Sequence, residues 1–402
     1  MKLLLGEEAY EFLLAMEQQP VVSVRLNPRK PGASFEGASP ITWCPGGFYL
    51  PERPSFTLDP LLHAGAYYVQ DASSMIYKET VRRLLSLSGN PSSVTLLDLC
   101  AAPGGKTTAM IDALPDGSRV VANEYVAKRA TILRENLSRW GYPDAVVTNR
   151  DTSAFVSDGS LFDIVAVDAP CSGEGMMRKD ETARTQWSEK LVYECAALKN
   201  TILSNSAKVV RPGGFLIFST CTFNRKENEE NVRFAVKQLG LRPIDLDFPG
   251  EWGIPRGIGT DLPVYRFMPH RTQGEGLFLA VLKKPDENEG DREHAPEHTQ
   301  GRKSANSKRN NTHTSASPKG KKEEIPEIDD ILSVDFDKTR FPLVELTREQ
   351  AVNYLRREAL ILPEGSPRGV VIVTYRGLPL GAAKNIGSRA NNLYPKNRRI
   401  LK

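Results

Sequence analysis

The stretch VTLLDLCAAPGGKTT, residues 94–108, decides how the central part of the chain folds. Its apolar half is typical of a buried strand that ends near Asp98, and the turn Pro103-Gly104-Gly105 leads directly into helix-forming residues. Such a glycine turn allows a ligand to approach the backbone at the N-terminus of a helix. The stretch therefore predicts the first strand and helix of an open α/β sheet, with a ligand site where the strand ends.

Strand and helix signals alternate from this stretch to residue 284. The strand-like runs are Val94–Leu99, Arg119–Glu124, Ala145–Asp151, Phe162–Asp168 and Gly214–Thr220, and the clearest helical segments are Val126–Trp140 and Thr185–Val209. Alternation of this kind implies a parallel sheet with helices on both of its faces. We therefore predict an α/β domain over residues 93–284, which holds the ligand site.

A separate unit precedes this domain, and a charged segment follows it. Residues 1–92 are predicted to form a small α+β unit, with a helix at residues 7–18 and a strand at residues 21–27. Residues 285–324 contain no large aliphatic or aromatic residue. They cannot bury enough apolar surface to offset the entropy lost on ordering, so we predict a flexible charged linker over residues 285–325.

The C-terminal unit comprises residues 326–402. Its spacing predicts a helix around Thr347–Glu358 and a strand at Gly369–Tyr375. Residues 376–381 are predicted to form a hairpin turn that leads into a second strand.

Basic residues are concentrated at the end of the chain. From Arg368 onward there are eight basic residues and no acidic residue, and Tyr375 and Tyr394 lie among them. Basic side chains neutralise phosphates, and aromatic rings stack on bases. A merely solvated basic face is the alternative, which the complete lack of acid over this length disfavours. The C-terminal unit is therefore predicted to bind a nucleic acid.

The composition argues against several classes of protein. Of 402 residues, 40% are hydrophobic and 25% are charged, as in ordinary globular domains. No stretch approaches the roughly 20 apolar residues of a membrane span, so we expect a cytoplasmic protein without membrane attachment. The five cysteines form no CxxC pair, and three of the five histidines lie in the predicted linker. A disulfide framework, a metal site and a Ser-His-Asp triad are therefore not expected, and we expect a monomer.

Two kinds of ligand compete for the glycine turn. A phosphate-binding P-loop has the pattern Gly-x4-Gly-Lys-Thr, which requires glycine where Cys100 stands. The dinucleotide fingerprint GxGxxG is absent as well. The shorter Pro-Gly-Gly turn favours a nucleoside ligand that lacks phosphates.

Acidic residues end the second and third predicted strands. Glu124 lies about 20 residues past the glycine turn, where an acid commonly binds both ribose hydroxyls. Asp151 ends the third strand, where a carboxylate can accept a hydrogen bond from the adenine amino group. The turn and the two acids form the pattern of a nucleoside pocket, and S-adenosylmethionine is the obvious ligand of this kind without a phosphate.

Cysteines end the fourth and fifth predicted strands. The fourth strand ends in DAPC, which contains Cys171, and the fifth ends in STC, which contains Cys221. The carboxyl ends of neighbouring parallel strands converge on one crevice, so the two thiols are expected to face a common site. A lone cysteine is more often a small buried hydrophobic residue, and we assign that role to Cys44 and Cys195.

A pair of thiols beside a nucleoside pocket suits one methyl transfer in particular. Carbon 5 of cytosine is too weak a nucleophile to attack a sulfonium methyl group, but a thiolate that adds at carbon 6 creates a reactive enamine. A second positioned group can then remove the carbon 5 proton before the thiol leaves. Asp168 can hydrogen-bond the N3/N4 edge of the ring. Transfers to nitrogen or oxygen need no covalent step, so the pair predicts transfer to pyrimidine carbon 5.

At these positions the sequence resembles the Nop/Sun family of RNA (cytosine-5) methyltransferases. The similar segments are YYVQDASSM (67–75), LDLCAAPGGKT (97–107), ANE (122–124), FDIVAVDAPCSGEG (162–175), RPGGFLIFSTCTFNRKENE (211–229) and FMPHRTQGEGLFLAVLKK (267–284). LPLGAAKNIGSRANNLYPK (378–396) is similar to the bacterial branch that modifies 16S rRNA. The resemblance implies a Rossmann-like methyltransferase fold with a small N-terminal α+β unit and a C-terminal PUA-like domain that binds RNA.

The resemblance also implies roles for individual residues. Cys221 matches the nucleophile, and Cys171 matches the cysteine that helps to release the product. The residues alone leave the order of the two thiols open, since DNA cytosine methyltransferases use the Pro-Cys cysteine as the nucleophile. The implied contacts to S-adenosylmethionine are Cys100, Ala101, Ala102, Pro103, Gly104, Gly105, Lys106, Glu124, Asp151 and Asp168.

The sequence therefore predicts an S-adenosylmethionine-dependent enzyme that forms 5-methylcytosine in 16S rRNA, either naked or in the small ribosomal subunit. One alternative is a tRNA cytosine-5 methyltransferase. Another is an RNA-binding ribosome-assembly factor whose methylation matters little, which the presence of both strand-end cysteines disfavours. A third is a methyltransferase for a small molecule or a protein, which the basic C-terminal unit disfavours.

Overall fold

The computed structural model describes residues 1–286 and 325–401 of the chain. These residues form three β-sheets, one in each of the three units that the sequence predicts. The predicted linker, residues 285–325, lies outside the described residues except at its ends. Within the described ranges, no helix is long and apolar enough to cross a membrane.

The N-terminal unit consists of short helices and one small antiparallel sheet. In chain order its elements are α1 (Lys2–Leu5), α2 (Ala9–Glu17), β1 (Val22–Leu26), β2 (Ser39–Pro40), β3 (Gly47–Leu50), α3 (Pro60–Ala64), β4 (Tyr67–Val69) and α4 (Ile76–Leu87). The strands lie in the order β2-β3-β1-β4. The strand predicted at residues 21–27 is confirmed, and the helix predicted at residues 7–18 begins at Ala9 after a 3-10 turn.

The central domain is built on an eight-stranded sheet. In chain order its elements are β5 (Thr95–Asp98), α5 (Gly105–Ile111), β6 (Arg119–Asn123), α6 (Ala127–Trp140), β7 (Val146–Thr148), α7 (Thr152–Ser157), β8 (Phe162–Asp168), α8 (Glu181–Gln186), α9 (Glu189–Val209), β9 (Val210–Thr220), α10 (Glu229–Leu239), β10 (Arg242–Pro243), β11 (Val264–Phe267) and β12 (Leu277–Lys283). The strand order is β10-β12-β9-β8-β5-β6-β7, and β11 pairs with β12. All five predicted strands are present.

The sheet is mixed, whereas the alternation of strands and helices predicted a parallel one. The strands β9, β8, β5, β6 and β7 are parallel neighbours, but β12 runs antiparallel to β9, β10 and β11. The prediction is wrong at this edge because β11 and β12 follow each other without a crossover helix, and parallel pairing requires such a crossover. The parallel part alone brings the ends of β5, β6, β8 and β9 together.

The helix predicted over residues 185–209 is divided in two. The first helix, α8, ends at Gln186, and α9 begins at Glu189. The side chain of Ser188 accepts a hydrogen bond from the backbone N–H of Leu191 at 3.1 Å. Serine is one of the preferred N-cap residues, so a new helix starts here.

The C-terminal unit is a small mixed sheet with two helices. Its elements are α11 (Ile328–Leu332), β13 (Leu343–Glu345), α12 (Arg348–Leu355), β14 (Gly369–Tyr375), β15 (Leu378–Asn385) and β16 (Ala390–Asn392), and the strands follow the order β13-β14-β15-β16. The predicted helix and first strand are confirmed. The hairpin turn is only Arg376-Gly377, both with positive φ, and the remainder of the predicted turn belongs to β15.

The N-terminal and C-terminal units share one hydrophobic core. Leu61 and Tyr67 pack in the same cluster as Tyr354 of α12. Tyr394, which the sequence suggested for base stacking, is only 4% exposed, and its ring centroid lies 5.3 Å from that of Tyr354. The prediction for Tyr394 is therefore wrong, because the shared core covers its ring. Tyr375 remains half-buried at the surface.

Lys30 connects all three units at one point. Its Nζ donates hydrogen bonds to the carbonyl oxygens of Ala64, Arg139 and Leu332 at 3.1, 2.8 and 2.6 Å. These carbonyls lie at the C-terminal ends of α3, α6 and α11, where the helix dipole favours a cation. Burial lowers the pKa of Lys30 to about 7, while the three carbonyls provide one acceptor for each ammonium proton. The C-terminal unit is thereby held against the central domain.

Candidate active site

The turn between β5 and α5 lies at the sheet edge where the predicted site residues meet. Gly104 has a φ of 108°, a conformation that favours glycine because L side chains rarely adopt it. The backbone N–H of Ala101 donates to the carbonyl of Asn123 at 2.8 Å, and Arg129 donates to the carbonyl of Ala102 at 2.8 Å. These bonds hold Cys100–Lys106 as one turn at the N-terminus of α5.

A buried carboxylate supports this turn from inside the domain. Asp98 at the end of β5 accepts a hydrogen bond from the Thr107 hydroxyl at 2.7 Å. Burial raises the pKa of Asp98 to about 7, although the bond from Thr107 opposes this shift. The sequence interpretation placed Asp98 at the strand end but gave it no role, which the structure supplies.

Glu124 follows β6 immediately and lies beside the turn. Its buried carboxylate accepts a hydrogen bond from the backbone N–H of Val126 at 2.9 Å, and the Arg129 guanidinium lies 3.4 Å away. The next residue, Tyr125, is 71% exposed. The sequence interpretation did not consider Tyr125, whose exposed ring directly after Glu124 offers a face on which a base can stack.

Asp151 lies at the exposed end of the same row of strands. Its carboxylate caps α7, since it accepts hydrogen bonds from the backbone N–H and the hydroxyl of Ser153 at 2.9 and 2.6 Å. The bond from the Ser153 hydroxyl, followed by the backbone bond, lowers the pKa of Asp151. The second carboxylate oxygen remains available to a ligand.

A chain of polar side chains connects the glycine turn to the thiols. Lys106 pairs with Asp168 at 2.7 Å, and the hydroxyl of Ser219 donates to Asp168 at 2.6 Å. The hydroxyl of Tyr77 lies 2.8 Å from that of Ser219. Burial lowers the pKa of Lys106, but the Asp168 carboxylate more than offsets this, so the pKa lies above its ordinary value. Tyr77 was not predicted, because 142 residues separate it from Ser219.

The two predicted thiols face each other at the ends of β8 and β9. The Sγ atoms of Cys171 and Cys221 lie 3.3 Å apart, within hydrogen-bonding distance for sulfur. Asp168 pairs with Ser219 in the parallel register, which sets the two strand ends side by side. The other two cysteines assigned to the core, Cys44 and Cys195, are buried elsewhere.

The two thiols share one readily lost proton. The hydrogen bond from Cys221 lowers the pKa of Cys171 below its ordinary value. The same bond raises the pKa of Cys221 well above its ordinary value, because a second ionisation would put two buried anions in contact. The two ionisations belong to the pair and not to either thiol alone. A proton that moves from one sulfur to the other therefore changes which of them is the thiolate when a substrate binds.

The residues at this edge fit S-adenosylmethionine. The glycine turn allows close approach of a ligand to the backbone, and Asp151 and Asp168 present carboxylate oxygens that solvent reaches. The ligand carries a ribose diol, amino groups and a sulfonium cation, all of which favour carboxylate partners over the basic residues that a phosphate would require. No group of three side chains suited to a metal ion occurs in residues 1–286 and 325–401.

The fold and this edge define a Rossmann-like methyltransferase. Three family models match the chain: 16S rRNA methyltransferase RsmB/F over residues 85–283, the methyltransferase RsmF PUA domain over residues 341–400, and the N-terminal domain of 16S rRNA methyltransferase RsmF over residues 1–72. The chain belongs to the RsmB/F family of 16S rRNA methyltransferases. The resemblance inferred from the motifs is thereby confirmed, together with its PUA domain.

Curated relatives carry the name ribosomal RNA small subunit methyltransferase F. The relative from Enterobacter sp. strain 638 is 31% identical over an alignment of 421 residues. The alignment covers 89% of this chain and 83% of the relative. The relative from Erwinia tasmaniensis is 36% identical over 256 residues, 61% of this chain and 52% of the relative. The chain thus spans about half the length of some of the curated relatives that it matches.

Solved structures share the fold. A methyltransferase homolog protein from Pyrococcus horikoshii has a TM-score of 0.59 and 25% identity, covering 70% of this chain and 92% of that chain. NSun6 from Pyrococcus horikoshii, solved with SFG, has a TM-score of 0.58 and 21% identity, covering 70% of this chain and 96% of that chain. Both matches support the Rossmann-like methyltransferase architecture.

Proposed function

We propose that this protein transfers a methyl group from S-adenosylmethionine to carbon 5 of a cytosine in 16S rRNA. The observation that carries the proposal is the pair of thiols, Cys171 and Cys221, 3.3 Å apart at two strand ends beside the glycine turn. Methyl transfer to nitrogen or oxygen has no use for such a pair. An RNA-binding assembly factor without chemistry has no use for it either.

The cofactor half of the site uses the residues of the first three strands. The turn Cys100–Lys106 receives the ligand at the N-terminus of α5, and Glu124 binds the ribose hydroxyls. Asp151 accepts from the adenine amino group with its free oxygen. Asp168 lies between this pocket and the thiols, so it contributes to both. When bound, S-adenosylmethionine supplies an electrophilic methyl group.

In the first step, Cys221 adds to carbon 6 of the cytosine. The sulfur–carbon bond forms, and the displaced electron pair makes carbon 5 nucleophilic enough to take the methyl group. The proton of Cys221 passes through the Cys171 sulfur and on to solvent, so that Cys171 is again a thiolate once the adduct has formed; before addition the pair loses one proton easily and the second with difficulty. Asp168 hydrogen-bonds the N3/N4 edge of the base in this proposal, which its contacts with Lys106 and Ser219 support by fixing its carboxylate.

In the second step, the methylated adduct loses its carbon 5 proton. Cys171, as a thiolate beside the adduct, takes this proton as a general base. The electron pair of the carbon–hydrogen bond restores the ring double bond, and the bond between carbon 6 and Cys221 breaks with its electrons returning to sulfur. The target base must leave any stack to reach this crevice, so an unpaired cytosine is the preferred substrate.

Labelled methyl transfer tests the proposal directly. Wild-type protein is incubated with labelled S-adenosylmethionine and with deproteinised 16S rRNA, small ribosomal subunits or tRNA, and the product is mapped by bisulfite sequencing. Cys221→Ala is expected to lose methylation by several orders of magnitude and retain cofactor binding. Cys195→Ala, which alters a buried thiol within α9, serves as the matched control and is expected to remain active.

Trapping of the covalent protein–RNA intermediate distinguishes the roles of the two thiols. Cys171→Ala is expected to accumulate a covalent protein–RNA complex that survives denaturing electrophoresis, whereas Cys221→Ala and the double variant are not. Trapping by Cys221→Ala alone would reverse the roles. Methylation of tRNA without methylation of rRNA would favour the tRNA alternative, and RNA binding without any methylation would favour the assembly factor.

The basic C-terminal unit is proposed to hold the RNA backbone. Four exposed basic residues, Arg376, Arg389, Lys396 and Arg399, are replaced together by glutamine, since deleting the unit would expose the shared core. Each lost phosphate contact should reduce the salt slope of RNA affinity by roughly 0.7 to 0.9. Replacement of exposed Lys208 and Lys237 is the control. An unchanged slope in the quadruple variant would contradict this role.

A further inference from the structure

The residues that directly follow the two thiols are held by a single carboxylate. Ser172 follows Cys171, Thr222 follows Cys221, and their hydroxyls lie 2.9 Å apart. Glu227 accepts a hydrogen bond from the backbone N–H of Ser172 at 3.0 Å and another from its hydroxyl. One side chain thus fixes the backbone next to Cys171 and, through the Ser172 hydroxyl, the loop next to Cys221.

A second contact extends the hold of Glu227 to the Cys221 loop. The Asn224 side chain donates to Glu227 at 2.8 Å and to the Thr222 hydroxyl at 3.1 Å. The backbone N–H of Glu227 in turn donates to the Asn224 side chain at 2.9 Å. The two loops are therefore tied to the same carboxylate by separate routes.

The charge of this carboxylate is balanced inside the protein. Lys199 on α9 donates to Glu227 at 2.6 Å, and both side chains are 0% exposed. A buried ion pair of this kind adds little net stability compared with apolar residues of similar size. Its value here lies in geometry, because a carboxylate can accept from the Ser172 amide, the Ser172 hydroxyl, Asn224 and Lys199 at the same time.

We propose that Lys199 and Glu227 are positioning residues that hold Cys171 against Cys221 for the release step. The proposal rests on the function proposed above, in which Cys171 removes the carbon 5 proton. A shift of the Ser172 backbone moves Cys171 away from the adduct, whereas Cys221 directly follows Thr220, the last residue of β9, which the sheet holds through its pairing with Phe278. Loss of the carboxylate should therefore impair release more than addition.

Substitution by glutamine tests this geometry with minimal change in shape. Glutamine keeps one acceptor, but its NH2 group faces donors from Ser172, Asn224 or Lys199. We expect Glu227→Gln to lower turnover about tenfold to 100-fold, since displacement of a reacting group by 1 Å has effects of that size. A covalent protein–RNA complex should accumulate although both cysteines are present, and cofactor affinity should not change.

Two further variants complete the experiment. Glu230→Gln is the matched control, because Glu230 is exposed and pairs with half-buried Lys226 at 2.9 Å. Its turnover and adduct level should equal those of the wild type. Glu227→Asp retains the charge that balances Lys199 but is too short to keep every contact. It should fold more readily than Glu227→Gln and show an intermediate adduct level.

Thiol proximity provides a readout that general destabilisation does not imitate. The rate at which diamide, an azo oxidant, converts the Cys171–Cys221 pair to a disulfide reports the distance between the sulfurs in the cofactor-bound protein. We expect the rate to fall about tenfold in Glu227→Gln, and to a smaller degree in Glu227→Asp.

Specific outcomes would overturn the proposal. One is normal turnover in folded Glu227→Gln, or in Glu227→Asp if the glutamine variant does not fold. Another is loss of turnover without an adduct and with an unchanged disulfide rate, while Cys171→Ala still traps RNA. If Cys171→Ala itself traps no RNA, the role proposed for Cys171 fails instead, which separates the two proposals.

Discussion

The two halves of the active-site edge are built in different ways. The cofactor half, at the ends of β5, β6 and β7, is shaped by backbone bonds and by the buried Asp98–Thr107 contact, and its acid Asp151 is exposed. One buried ion pair, Arg25–Asp112, contacts it, since Arg25 also donates to the hydroxyl of Thr108 on α5. The thiol half, at the ends of β8 and β9, is supported by three buried ion pairs: Lys199–Glu227, Arg266–Glu229 and Arg178–Glu275. Each of these side chains is at most 6% exposed.

The difference follows from what each half has to do. A reversibly bound cofactor forms its own hydrogen bonds, so its pocket needs free carboxylate oxygens on a preformed turn. Covalent chemistry requires two sulfurs at a defined separation throughout a multistep reaction, and this demands a rigid surrounding. The thiol half should therefore lose stability when one buried charge is removed, while loss of Glu124 or Asp151 in the cofactor half should mainly reduce the affinity for the cofactor.

The largest effect on the free energy of unfolding is expected when the Arg266–Glu229 pair is broken. Arg266 forms two hydrogen bonds with Glu229, at 2.8 and 2.6 Å, and donates to the carbonyl of Phe223 near Cys221 at 2.7 Å. Arg266→Met leaves the buried Glu229 carboxylate without its counter-charge, although the backbone N–H of Ile258 still donates to it at 3.1 Å. We expect the free energy of unfolding of the central domain to fall by about 3–5 kcal/mol, measured by urea titration.

An exposed pair on α9 provides the control. Lys190 and Glu194 lie 3.6 Å apart with side chains 86% and 60% exposed, so Lys190→Met should change the free energy of unfolding by only about 0.3–0.5 kcal/mol. Equal effects of Arg266→Met and Lys190→Met would show that burial of the charges does not distinguish the thiol half.

These ion pairs also mark where prediction from sequence stops. The strand ends could be predicted because apolar runs stop at Asp98, Glu124 and Asp168, and the parallel arrangement then requires the ends to meet. No local sequence signal indicated that Lys199, in the middle of α9, would pair with Glu227, which lies 28 residues later in the loop after β9. Charged residues on a helix are usually solvated, and only the packing of α9 against the loop after β9 buries this pair.

The C-terminal unit shows that its local structure could be predicted from the sequence, whereas its packing could not. Its helix and first strand could be predicted from the spacing of apolar residues, which is a local signal. That its sheet packs on the N-terminal unit could not, because Leu61 and Tyr354 lie far apart in sequence. Tyr394 was misassigned for this reason, as a ring among basic residues has the same local pattern in a core and on a surface.

The second prediction concerns the cofactor half. Glu124→Ala removes the acid proposed to bind the ribose and leaves the polar groups of the ligand unpaired. Cofactor affinity, measured by calorimetry, should weaken by about 1–3 kcal/mol. The free energy of unfolding should change far less than in Arg266→Met, because Glu124 bonds mainly to the backbone N–H of Val126. Unchanged affinity would exclude Glu124 from the pocket.

The third prediction concerns the ionisation of the thiol pair. The hydrogen bond between the sulfurs lowers the pKa of Cys171, so alkylation of the pair by iodoacetamide should begin at a lower pH than for an ordinary thiol. In Cys221→Ala the stabilising donor is lost while burial remains, so the alkylation profile of Cys171 should move to higher pH. A profile that stays in place would show that the neighbouring thiol does not stabilise the anion.

The smallest effect is expected for Asp151→Asn. Asp151 is exposed, whereas the charged pairs of the thiol half are buried. The carboxylate caps α7 through Ser153 and offers its remaining oxygen to the adenine amino group. Asparagine caps helices about as well as aspartate, so Asp151→Asn should change the free energy of unfolding by about 0.5 kcal/mol or less, although its NH2 group replaces the oxygen that accepts from adenine. Asp151→Ala removes both the cap and the acceptor and should cost about 0.5–2 kcal/mol of stability as well. A loss of stability in Asp151→Asn as large as that in Arg266→Met would mean that the negative charge of Asp151, and not its hydrogen bonds to Ser153, supports this end of the sheet. The cofactor half would then depend on fixed charge in the same way as the thiol half, and the contrast between them would disappear.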